Sequence, residues 1–144
     1  MNKQPSMPGS ARRLRGIALI EALIGILIFA FGVLGLMGLQ AAMTKAQTSA
    51  KVRADAANLA SDLFGLIQTD IPGNLSNYAN KGGTKACASY VPCSDWLAKV
   101  GATLPAGTAD ITVDTGTGKV DIEMKWRQGA EAAGSYKSSM VWQQ

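Results

Sequence analysis

Three regimes of hydrophobic and polar positions follow one another along the chain. From Ile17 to Gln40 the residues are almost all apolar (IALIEALIGILIFAFGVLGLMGLQ), and one acid, Glu21, interrupts them. At ~1.5 Å per residue this stretch makes a helix of roughly 36 Å, enough to cross a hydrocarbon core of ~30 Å. From Ala41 to Asp70 the composition turns polar but stays helix-forming, without proline and with one glycine, Gly65. Val52, Ala56, Leu59, Leu63 and Leu66 follow the i, i+4, i+7 spacing of one apolar face. Together the two regimes predict a single helix over 17–70. Ile71-Pro72-Gly73-Asn74 ends it, because proline disfavours helix in the residue before it and Gly-Asn suits a turn.

Residues 73–86 (GNLSNYANKGGTKA) predict a loop. In CASYVPCSDWLAKVGATLP a short helix is expected, with Ser94 as N-cap and Asp95 in the first turn, ending near Gly101. Trp96, Leu97 and Val100 would face the core. The last third changes period. Ile111-Thr112-Val113, then Val120, Ile122, Met124 and Trp126 alternating with Asp121, Glu123, Lys125 and Arg127, predict strands with one buried face. Gly116-Thr117-Gly118 turns between them, and a third strand, Tyr136 to Trp142, follows the loop QGAEAAGS. The expected fold is α+β, a long N-terminal helix packed on a small antiparallel sheet of about three strands.

Composition changes this picture in two places. The chain has 144 residues, and one membrane helix leaves enough for one small domain with one core. The net charge of +4 suggests nucleic-acid binding until it is located: of 14 Lys and Arg, Lys3, Arg12, Arg13 and Arg15 precede the apolar run, and the remainder equal the 10 acids. A basic cluster ahead of a first spanning helix is retained on the cytoplasmic side, which places the rest outside the cytoplasm. Cys87 and Cys93 agree, since a close pair in an oxidising compartment is usually a disulfide. Closing so short a loop removes unfolded-state entropy worth about 2 kcal/mol. The competing reading, a metal site, has no histidine and no second cysteine pair to complete it.

Ala41 and Ala42 offer a weak signal-peptide cleavage site, but the apolar run is too long for such a core and continues into helix without a break. Retention is the better reading. Glu21 inside the run then costs on the order of 3 kcal/mol. Either it lies near enough to the interface to be hydrated, or it meets a cation from another subunit, since the segment holds no Lys or Arg of its own. Small residues recur at Ala18, Ala22, Gly25, Gly32, Gly35 and Gly38, spacings that allow close helix approach and equally fit the glycine content of membrane helices.

GIALIE, preceded by basic residues and followed by an unbroken apolar helix, resembles the processing site of the type IV pilin family. The resemblance implies that a prepilin peptidase cuts after Gly16 and methylates the new amino terminus at Ile17. It also implies that Glu21 pairs with the N-terminal amine of a neighbouring subunit during assembly. The family more often has phenylalanine and then threonine or serine after the cut, where this chain has Ile17 and Ala18. Residues 1–16 would be the leader, 17–40 the membrane and filament-core half of the helix, and 41–144 the periplasmic domain including the amphipathic helix 41–70. Within the family the chain looks most like the PilV group of minor pilins. The features are the run ILIFAFGVLGLMGLQ, the Cys-x5-Cys pair before a Trp-containing helix, an LPAG stretch and a late strand ending in Trp126. Implied partners are other minor and major pilins, the prepilin peptidase and the inner-membrane assembly platform, at the bacterial inner membrane and then in the pilus.

The residues give little ground for catalysis or cofactors. No histidine is present to serve a Ser-His or Cys-His pair, and no metal set is evident. GTGK at 116–119 lacks the earlier glycine and the following Ser or Thr of a phosphate loop. Asp110, Asp114 and Asp121 are expected on a solvated strand face, and Trp96, Trp126 and Trp142 in the core. Without a basic field they give little support to nucleic-acid binding. A type II secretion pseudopilin, a DNA-uptake pilin and a simple membrane-anchored periplasmic protein share parts of this pattern.

Overall fold

The computed structural model describes residues 14–129 and 132–142, with side chains from residue 17 onward. The basic residues Lys3, Arg12 and Arg13, with most of the expected leader, lie outside the described residues. So do Ala130 and Glu131 of the QGAEAAGS loop. The chain divides into two compact units, Met1–Ala46 and Gln47–Gln144, and one helix, α1 (Leu14–Thr69), contributes to both.

In the second unit α1 stops where proline dictates. Ile71 is extended (φ −70°, ψ 136°) ahead of Pro72, which opens a 3-10 helix, Pro72–Tyr78, at a position where its missing N–H is not needed. Strands β1 (Asn80–Lys81) and β2 (Thr84–Lys85) form a hairpin, with Gly82 at φ 62° in its turn. Helices α2 (Ala86–Ser89) and α3 (Val91–Thr103) follow, then β3 (Thr108–Asp114), β4 (Lys119–Trp126) and β5 (Gly134–Val141). The sheet order is β2-β1-β3-β4-β5, antiparallel throughout.

The α+β class is as expected, with three corrections. The sheet has five strands and not about three, because the expected loop 73–86 holds the 3-10 helix and the β1–β2 hairpin. Its two-residue strands are too short to show alternation, and they join through Asn80, which pairs with Ile111 and donates from Nδ2 to the Ala109 carbonyl at 2.8 Å. Helix α3 starts at Val91, not after Ser94, since Pro92 suits a first turn; Ser94 Oγ donates to the Val91 carbonyl and caps nothing. The helix also runs past Gly101 to Thr103. Finally, Leu66 is 37% exposed while Ile67, four residues after Leu63, is buried.

The core lies between the second half of α1, α3 and one sheet face. Val52, Ala56, Leu59, Ala60, Leu63 and Ile67 form the buried stripe of α1, and Trp96 and Val100 that of α3. Alternation on β3 and β4 puts Ala109, Ile111, Val120, Ile122, Met124 and Trp126 inside. The Trp96 indole N–H donates to the Leu59 carbonyl at 2.8 Å, which satisfies its polar atom and ties α3 to α1. Close approach requires glycine at Gly118 and Gly134, among others. At Gly118 (φ 67°) a Cβ would fall 2.4 Å from the Trp142 carbonyl oxygen, and at Gly134 it would fall 2.4 Å from Nε1 of Trp126, whose ring lies across it.

Each large core side chain contributes roughly 1.5–3 kcal/mol by leaving water. Leu63→Ala should therefore lower unfolding free energy by about 2–5 kcal/mol, whereas Leu66→Ala should cost under about 1 kcal/mol. Denaturant midpoints followed by tryptophan fluorescence on the detergent-held chain would check this, and equal losses would refute the assigned helix face.

Candidate functional site

The first unit presents an apolar helix whose described side chains are exposed. Ile17, Ile20, Phe29, Phe31 and Leu34 are 59–73% exposed, and no residue of its most apolar window is buried. By length and composition α1 can cross a membrane once. A Cβ added at Gly25, Gly32, Gly35 or Gly38 would meet nothing within 4 Å, so no contact among the described residues explains these glycines.

Glu21 sits with Ile17, Ile20 and Ile24 around a shallow apolar hollow of about 340 Å³. Their i, i+3, i+4 and i+7 spacing puts the carboxylate and Ile17 on one helix face. Among the described residues none pairs with Glu21. The Gly16–Ile17 bond lies within α1, near the start of its described part. A cut there would create an ammonium group four residues from Glu21 and on its side of the helix.

Chemistry that the sequence left unmarked gathers at the end of α1. Asp70 Oδ1 accepts from the Ile71 N–H at 2.7 Å and from Asn74 Nδ2 at 2.9 Å. Its Oδ2 accepts from the hydroxyls of Tyr90 and Tyr78, the latter at 2.7 Å. The two rings meet edge to face with centroids 5.3 Å apart. Hydrogen bonds from Tyr90, then Tyr78, outweigh desolvation and hold the Asp70 carboxyl well below the usual carboxylate range. Burial, then the Asp70 carboxylate, pushes the Tyr78 hydroxyl up. With four donors on its oxygens, Asp70 is saturated, and the arrangement fastens α1 to the 3-10 helix and the α2–α3 junction.

Cys87 and Cys93 are joined in a disulfide, both fully buried, with Cα atoms 5.0 Å apart. The short loop they close carries Tyr90, so the bond restrains the residue that grips Asp70. On the outer sheet face Lys125 pairs with Asp110 at 3.0 Å and with Glu123 at 3.5 Å, and Lys137 pairs with Glu123 at 3.3 Å. Lys137, then Lys125, draw the Glu123 carboxyl down. Asp121 pairs with Lys119, while Asp114 accepts from the Gly116 N–H at 2.9 Å and from Thr117 Oγ1 at 2.7 Å, shaping the β3–β4 turn that contains GTGK. Trp96 and Trp126 are buried, and Trp142 packs half-buried against the core. Among the described residues no group of three His, Cys, Asp or Glu is placed to hold a metal ion.

No protein-family model, no curated protein and no solved structure matches this chain.

Of the residues singled out in sequence, the structure joins Cys87 to Cys93 and places Glu21 beside Ile17. Asp70, Asn74, Tyr78 and Tyr90 were missed. The signal available was an aspartate at a helix end with asparagine four residues on.

Because the Asp70 carboxyl lies below its ordinary 3.8 in the folded state, its contribution is complete above that value and is lost as pH falls through and below it. Asp70→Asn should lower stability at neutral pH and flatten the acid limb of a stability–pH curve. Asp114 and Glu123, shifted in the same direction, leave a smaller residual slope. Tyr78→Phe should cost about 1–3 kcal/mol, since it withdraws a hydrogen bond from a charged group. An unchanged acid limb in the Asn variant would show that Asp70 is not the titrating anchor.

Proposed function

We propose that this protein is a minor type IV pilin, of the PilV-like kind, whose work is assembly and not catalysis. The observation that carries the reading is an exposed apolar helix with a single unpaired acid, Glu21, on the same face as Ile17. A lone carboxylate in an apolar medium is costly, and cutting after Gly16 supplies its counter-charge as a free amine on every processed copy. Side-by-side helices then exchange pairs, the amine of one chain meeting Glu21 of the next. The glycines that no contact among the described residues explains allow those helices to approach closely.

In this reading the basic end stays in the cytoplasm, the prepilin peptidase removes residues 1–16 and methylates Ile17, and the second unit lies in the periplasm. The chain then leaves the bilayer to join other minor and major pilins at the inner-membrane assembly platform. There it helps to prime filament growth, supporting twitching motility and adhesion.

Co-expression with a prepilin peptidase followed by intact-mass measurement tests the first step. The expected product begins at Ile17 and carries one added methyl group, and an intact leader would sink the reading. Glu21→Gln should leave cleavage unchanged yet lower incorporation into sheared filaments by more than about tenfold, the effect of leaving a buried amine unpaired. Filament incorporation at the parental level would remove Glu21 from the assembly role.

A further inference from the structure

The sheet ends in two unlike edges. β2 is two residues long, whereas β5 runs for eight without proline and, among the described residues, has no strand on its far side. Long open edges are templates for pairing with another strand, and proteins usually block them with charge, proline or a covering segment. Here the only charge on β5 is Lys137, which is held by Glu123 of its own sheet at 3.3 Å.

The direction of the free backbone groups follows from one bond. The Trp142 N–H donates to the Gly118 carbonyl at 2.8 Å, and alternation then turns the even-numbered residues of β5 toward β4. Ser135, Lys137, Ser139 and Val141 therefore aim their N–H and C=O groups outward. Side chains alternate too. Tyr136, Ser138, Met140 and Trp142 lie on the core side but only half-buried, although Val120 and Met124, opposite Met140 and Tyr136 on β4, are fully buried. The edge is thus an apolar ledge with a row of free hydrogen-bonding groups.

We propose that β5 pairs antiparallel with β5 of a second copy of this chain, centred on Ser138. This register hydrogen-bonds Ser135 to Val141 and Lys137 to Ser139, and sets Tyr136 against Met140 on both sides of the axis. It also brings Trp142 of the second copy opposite Gly134. There a recess of about 230 Å³, lined by Ser49, Arg53, Trp126 and Gly134 among others, stands open beside the edge. An indole set there covers the Trp126 ring and faces a guanidinium, a favourable combination. Shifting the register by two residues one way opposes Lys137 to Lys137. The other shift sets Met140 against Ser138 and leaves the recess unfilled. The proposal concerns the second unit alone and does not rest on the pilin reading.

Site-directed crosslinking of the full chain in detergent micelles tests it. The native cysteines are fully buried in their disulfide and do not compete. Ser138→Cys should form a covalent dimer under mild oxidation, because non-hydrogen-bonded partners bring their Cβ atoms within disulfide reach. Ser135→Cys alone should not, since two copies of residue 135 stand roughly 20 Å apart in this register at ~3.3 Å per residue. Mixed with Val141→Cys it should crosslink. Ser139→Pro removes an outward donor without touching the β4 ladder, and should reduce the dimer by at least about tenfold in affinity. Dimers from Ser135→Cys alone, failure of both Ser138→Cys and the mixed pair, or insensitivity to Ser139→Pro would overturn the proposal. So would capture of a different protein by Ser138→Cys with no homodimer.

Discussion

Fifteen large apolar side chains between Ile17 and Met43 stand exposed on one helix, and none of the described residues covers them. Left in water they would forgo roughly 20–45 kcal/mol at ~1.5–3 kcal/mol each, more than the ~5–15 kcal/mol that holds a small domain folded. The first unit is therefore favoured in apolar surroundings, either lipid or other helices, over water. This requirement settles what the rest of the molecule must do. The second unit has a core of its own, and whatever distinguishes lipid from a neighbouring helix has to come from close packing and from polar detail.

Self-sufficiency of the second unit is built from short-range devices. A buried stripe on α1 faces α3 and the sheet, and Trp96 adds a hydrogen bond to the Leu59 carbonyl within that contact. At the helix end, where backbone carbonyls lose their partners, Asp70 collects four donors and the disulfide loop presents one of them, Tyr90. The outer sheet face carries its acids and lysines in alternation, which leaves it close to neutral. Such pairs are exposed and contribute little individually. Their effect is to keep the face soluble without giving it a strong field.

Elements that obey a period were legible in the sequence. The α1 helix, the β3 and β4 strands and the buried Trp96 and Val100 follow from spacing alone, and Glu21 stood out because an acid in an apolar run has a large cost. What was hidden lacked a period. Strands β1 and β2 have two residues each, so alternation has nothing to act on, and Asn80 secures them through a side chain. The choice between Leu66 and Ile67 turns on about 100° of helix rotation, which the apolar positions around them do not fix. Asp70 looked like any polar helix terminus, since its partners Tyr78 and Tyr90 come to it only when the 3-10 helix and the disulfide loop fold back.

On the proposed assembly reading, a helix moving from bilayer to filament would gain little hydrophobic free energy, because lipid tails are as apolar as the leucines and isoleucines that would replace them. Two terms differ between the environments. On the proposed assembly reading, close packing at Gly25, Gly32, Gly35 and Gly38 is available against another helix, and a counter-charge for Glu21 comes from another processed chain. The first is spread over many weak contacts and works between any two such helices. The second is one strong, directional contact that fixes axial position, because Glu21 and Ile17 lie a single helical turn apart. On the assembly reading, then, packing supplies affinity and the carboxylate supplies register, which is why one acid is retained where an apolar residue would insert more easily.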